Sequence, residues 1–159
     1  MKNPGFTLVE TLVSLFVLSI AITATFAIIT FNLNRANCIK NSFIASGLAQ
    51  EGDEGVRNLR DTDWFKGNPF GSLGGPLAAG GTYCVQWDSE QLISSCSNPL
   101  KKDAGGLYTY DSGQNTIFSR TVTVTSVSAA ELKITVDVSW PDHGGTKQVS
   151  AEEHLFDWY

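Results

Sequence analysis

Between Phe6 and Phe31 the sequence contains no Lys, Arg, Asp, Asn, Gln or His. From Phe6 to Ser46 it also lacks both Pro and Gly, so nothing local interrupts a helix there. As α-helix, residues 6–31 would span about 39 Å, more than the ~30 Å hydrocarbon core of a bilayer. That segment is long and apolar enough to cross a membrane. No A-x-A-like site follows Phe31, and the run is about twice the length of a signal-peptide core, so cleavable secretion is a poor fit.

Other absences narrow the function. No G-x-S-x-G, H-E-x-x-H or C-x-x-C occurs, and the two histidines, His143 and His154, lie far from the three cysteines. Catalytic residues, a metal site and a cofactor are therefore not expected, and His143 and His154 read as surface residues. Glycine pairs at 74–75 and 80–81 lack the following Lys-Ser/Thr and the preceding strand of a phosphate loop. Basic residues are also scarce. With 11 Lys and Arg against 16 Asp and Glu the net charge is −5, which argues against nucleic acid as a partner.

What the apolar run does contain is a single charge, Glu10. A lone carboxylate inside a span costs ~2.5–3.5 kcal/mol or more and calls for a partner. Either a cation pairs with it, or it snorkels to the headgroups or becomes protonated.

Lys2 and Gly5 followed by Phe6-Thr7-Leu8-Val9-Glu10 resemble the leader and first mature residues of type IV pilins and pseudopilins. The resemblance implies that residues 1–5 are a leader and that a prepilin peptidase cuts between Gly5 and Phe6. It also implies N-methylation of Phe6 and an assembly role for Glu10, the fifth mature residue. Cutting after Gly5 creates a positive amine at the edge of the apolar run, about one helical turn from Glu10. A neighbouring subunit's amine paired with Glu10 would offset the cost of both charges and set subunits in register. The implied partners are other pilin subunits, the prepilin peptidase and the inner-membrane assembly machinery. The implied fold is α+β: a long N-terminal helix on a C-terminal antiparallel sheet.

Along the chain, residues 6–31 read as the membrane half of the helix, with Arg35 and Lys40 marking its exit. Residues 32–61 read as the amphipathic half, where Ile44, Leu48, Gly52, Val56 and Leu59 share a face. Gly52 on that face admits a close strand, and Asp53 with Arg57 suggests an i,i+4 ion pair. The helix is expected to end near Asp61. Ala27 stands where helical pilins often carry a helix-breaking Pro, which favours a minor pilin or pseudopilin over a major one.

Residues 62–81, rich in Gly and Pro, read as a loop, with the Asp61-Thr62-Asp63 triplet as a solvated helix end. Residues 82–159 read as the sheet. Strands are expected at Thr82–Trp87, with Tyr83, Val85 and Trp87 on one side, and across Phe118, Val122 and Val124. Leu132, Ile134, Val136, Val138 and Trp140 alternate cleanly with polar residues. Ser128–Glu131 and 141–145 make turns, and a last strand of roughly His154–Trp158 closes the sheet. The matches at 118–120, 135–140 and 154–158 resemble minor pilins of the PilV type and the minor pseudopilin I of type II secretion.

An exported domain meets oxidising conditions, so Cys84 and Cys96, close in sequence, are expected to pair, with free thiols as the alternative. Cys38 reads as a packed helix residue. Together these features describe a non-enzymatic subunit of a pilus-like filament, anchored by one span before assembly with its C-terminal domain outside the cytoplasm. A type II secretion pseudopilin and a tethered adhesion domain that never polymerises are the alternatives.

Overall fold

The computed structural model describes residues 5, 7–75, 80–95, 99–142 and 144–158. Two compact units divide the chain, Met1–Lys40 and Asn41–Tyr159. The layout is α+β: among the described residues one helix, α1 (Leu8–Lys66), precedes seven strands.

In the first unit α1 begins on Thr7, whose hydroxyl accepts the Glu10 backbone N–H at 3.3 Å. This is half of an S/T-x-x-E capping box, so the motif Thr7-Leu8-Val9-Glu10 sets where the helix starts. The helix continues through Ala27 without interruption. Its hydroxyls are satisfied internally: Thr11 donates to Leu8 O at 2.7 Å, Ser14 to Glu10 O at 2.8 Å and Thr25 to Ala21 O at 2.8 Å. None of these needs water, as an apolar surrounding demands.

In the second unit the residues of α1 from Asn41 onward bury Ala45, Leu48, Ala49, Gly52, Val56 and Leu59. The stripe expected from the sequence holds, with Ile44 at its margin. It packs on a four-stranded antiparallel sheet ordered β1 (Gly81–Tyr83), β5 (Ser119–Ser128), β6 (Glu131–Asp142), β7 (Gly145–Phe156). Along β6, Leu132, Ile134, Val136, Val138 and Trp140 are all buried. A Cβ on Gly52 would lie 2.7 Å from Val136 Cγ1. The glycine lets helix and strand approach more closely than any side chain would allow.

Several expectations need correction. The helix runs past Asp61 to Lys66 and ends in a Schellman motif, with Gly67 at φ 74°. There Asn68 N–H bonds Asp63 O at 2.9 Å and Gly67 N–H bonds Trp64 O at 3.0 Å. Asp63 is not a solvated end. Its buried carboxylate accepts from Asn68 Nδ2 and Ser72 Oγ at 2.8 Å and from Gly74 N–H at 2.7 Å. Burial works to raise this carboxyl, but those three hydrogen bonds outweigh it and hold it below its ordinary range.

Arg57 does not pair with Asp53. It bonds Glu54 at 3.1 Å and reaches across to Glu153 on β7 at 2.6 Å. Adjacent Glu152 points to the other face and pairs with Lys133 at 2.7 Å, so the two carboxylates split across the strand. Burial and the nearby Glu153 push the Asp53 carboxyl up.

The strand expected over Thr82–Trp87 leaves the sheet after Tyr83. Cys84 bridges to Ile93, Val85 and Gln86 are both buried, and Trp87 is exposed. Buried Gln86 holds the departing chain, accepting from Tyr110 N–H at 2.9 Å and Thr109 Oγ1 at 3.0 Å. The turn between β5 and β6 is only Ala129-Ala130. β7 is far longer than His154–Trp158, pairing with β6 from Gly145 to Phe156. His154 lies within β7 and contacts Glu131 at 2.7 Å. A small second sheet, β3 (Tyr108–Thr109), β2 (Lys101–Lys102), β4 (Gln114–Asn115), fills part of the region between β1 and β5.

Candidate assembly site

The candidate site lies at the start of α1 and is built within the first unit. Gly5 is exposed and precedes the helix. Phe6 lies outside the described residues, so the expected cleavage and methylation position is known there only from its neighbours. Thr7 caps the helix, and Glu10 stands in its first turn, exposed to the surroundings. A carboxylate near a helix N-terminus is also favoured by the partial positive charge there. Glu10 forms no ion pair among the described residues.

Around and beyond Glu10 the helix surface is apolar on every side. All fifteen large apolar side chains from Leu8 to Leu33 are at least 47% exposed. This is the one described helix long and apolar enough to cross a membrane. Such a surface cannot face water; it needs lipid or other apolar helices. Arg35, with its guanidinium 5.3 Å from the centre of the Phe31 ring, stands at the polar edge.

The site therefore joins three features: a glycine ahead of a capped helix, one carboxylate in the first turn, and an unpartnered apolar helix. The family of the prokaryotic N-terminal methylation motif matches residues 1–26. Comparisons with curated proteins and with solved structures return no match. Behind that motif, the long helix and the antiparallel sheet have the α+β layout of the type IV pilin fold. The motif is that of structural proteins processed by a prepilin peptidase and assembled with other pilins.

Two functional groups of the second unit stand outside that motif. Cys84 is disulfide-bonded, and Cys96, its expected partner, lies outside the described residues. Cys38 is partly buried on α1. Arg120, which the sequence reading passed over, is fully buried on the inward face of β5. The signal was present: 118, 120, 122 and 124 share a parity, so the pattern that buries Phe118 and Val122 also buries Arg120.

Proposed function

We propose that this chain is a structural subunit of a type IV pilus-like filament, inserted in the membrane through residues 6–31 and incorporated as a minor pilin. Cleavage falls between Gly5 and Phe6, and Phe6 becomes the N-methylated amino terminus. The new amine of one subunit pairs with Glu10 of the next. The observation that carries this reading is Glu10 itself: one carboxylate, without an ion partner among the described residues, in a stretch of α1 (8–31) whose large side chains are otherwise apolar and exposed. A cation beside it offsets the cost of removing that charge from water, and the processed terminus supplies one.

Helix packing follows from the same surface. On the α-helical period Glu10, Ser14, Ala21 and Thr25 share one face, where small side chains let a second backbone come close. The uninterrupted course of α1 through Ala27 favours a minor pilin or a type II secretion pseudopilin over a major pilin. In the pseudopilin reading the same helix assembles a short periplasmic fibre. In both, the Asn41–Tyr159 unit lies outside the cytoplasm, where a Cys84–Cys96 disulfide is stable.

The test is Glu10→Ala in cells carrying the assembly machinery. The variant should still be cut after Gly5 and stay in the membrane, yet be absent from filaments. A tethered, non-polymerising domain would keep its function with Ala at position 10.

A further inference from the structure

At the C-terminal end of α1, within the Asn41–Tyr159 unit, lies a cleft of about 450 Å³ that the assembly helix does not involve. Trp64, Phe65, Phe156 and Trp158 line it. All four are notably open, at 56%, 86%, 38% and 73% exposure. An isolated exposed aromatic needs no explanation, but four converging on one concavity mark a binding surface. Phe156 and Trp158 set two faces at an angle, their ring centres 5.6 Å apart and their planes tilted by 57°. The Asp157 N–H bonds Ala130 O at 3.0 Å and fixes the short segment that carries both rings.

The polar lining identifies the ligand class. Arg60 is bonded through Nε to Asp61, which neutralises both charges and leaves further guanidinium N–H donors over. Asp63, at the same cleft, is used up by Asn68, Ser72 and Gly74. Asp157, exposed at the cleft, makes no ion pair among the described residues and offers acceptors. The lining thus offers donors and acceptors side by side, with the Asp63 oxygens turned to neutral donors and the Asp157 carboxylate left to meet a ligand. A phosphate-bearing ligand would need unmatched cations, and an organic cation has no use for the Arg60 donors. A ligand with flat apolar faces and hydroxyls around its rim matches both, because a hydroxyl donates to a carboxylate and accepts from a guanidinium.

We infer that the cleft between Trp64-Phe65 and Phe156-Trp158 binds a neutral saccharide, with pyranose faces on the aromatic rings and hydroxyls on Arg60 and Asp157. This activity is independent of polymerisation and stands whether the subunit belongs to a pilus or a pseudopilus.

The test uses the full chain in nanodiscs free of sugar-headed detergent. Tryptophan fluorescence and titration calorimetry are followed against cellotetraose, maltotetraose, chitotetraose and mannotetraose. Tetramethylammonium chloride and inorganic phosphate serve as charged probes. Saturable binding of at least one saccharide is expected, with no response to the charged probes. Trp158→Ala should weaken it about tenfold, the scale of one aromatic contact. Asp157→Asn should weaken it several-fold. Both side chains are exposed, so circular dichroism and thermal melting should match the unaltered protein. Silence toward all four saccharides overturns the proposal. So does binding left intact in Trp158→Ala, or saturation by tetramethylammonium in their place.

Discussion

The guanidinium of Arg120, on β5, bonds the carboxylate of Glu51, on α1, at 3.0 Å, and Arg120 itself has no exposure at all. The same guanidinium donates to Leu48 O at 3.0 Å and Val85 O at 2.6 Å, and its Nε reaches Tyr110 Oη at 3.3 Å. One side chain therefore ties the helix, the sheet and the segment after β1. Its charge is tolerable inside because each guanidinium nitrogen has an acceptor and Glu51 supplies the opposite charge.

Removing Arg120 should accordingly cost more than removing its partner. Arg120→Ala leaves two carbonyls and a cavity in the core, and about 3–5 kcal/mol of stability should be lost. Glu51 is partly exposed, and Glu51→Ala should cost less, about 1–3 kcal/mol, because water replaces part of what Arg120 loses. Urea unfolding of the full chain, read by far-UV circular dichroism, gives the order. Equal or reversed costs would show that the pair does not organise the core.

Two glycines on the same helix should respond in opposite directions. At Gly52 a Cβ would meet Val136 Cγ1 at 2.7 Å and Arg120 Cδ at 3.4 Å. Gly52→Ala should destabilise by about 1–3 kcal/mol through overpacking, and Val136→Ala in the same chain should recover part of it. At Gly47 nothing lies within 4 Å, so Gly47→Ala should stabilise by up to about 1 kcal/mol through helix propensity alone. Thermal melts of the three variants decide between packing and propensity.

Asp63 predicts a pH dependence. Its folded carboxyl titrates below its ordinary value of 3.8, because three hydrogen bonds favour the charged form. The folded state thus releases this proton more readily than the unfolded chain. The stability Asp63 contributes is present above pH 3.8 and is lost as pH falls through the lower, folded value. Asp63→Ala should cost about 2–3 kcal/mol at pH 7, since it strands the donors of Asn68, Ser72 and Gly74. The gap between variant and parent should narrow as pH falls below 3.8. A gap that persists there would assign the loss to packing instead.

The sequence made some of this legible and hid the rest for physical reasons. The apolar run and the alternation of Leu132–Trp140 are periodic, and each appears as expected, while the methylation motif matches residues 1–26. β7 was hidden because it is an edge strand: Gly145–Gln148 is polar and exposed, and Glu153 faces inward only because Arg57 waits there. The true end of α1 was hidden because Asp63 looks like a helix-breaking surface residue until the loop folds back onto it. Arg120 was hidden by its charge, although its parity placed it inside. The short strands β2, β3 and β4 hold two residues each, too few for a period to show.

The most direct test of the central claim is the amino-terminal sequence and intact mass of the protein recovered from sheared surface filaments and from membranes. The account predicts a chain beginning at N-methylated Phe6, present in the sheared fraction for a pilus and in the membrane fraction alone for a periplasmic pseudopilus. A chain that still begins at Met1, in cells that make the peptidase, would contradict it.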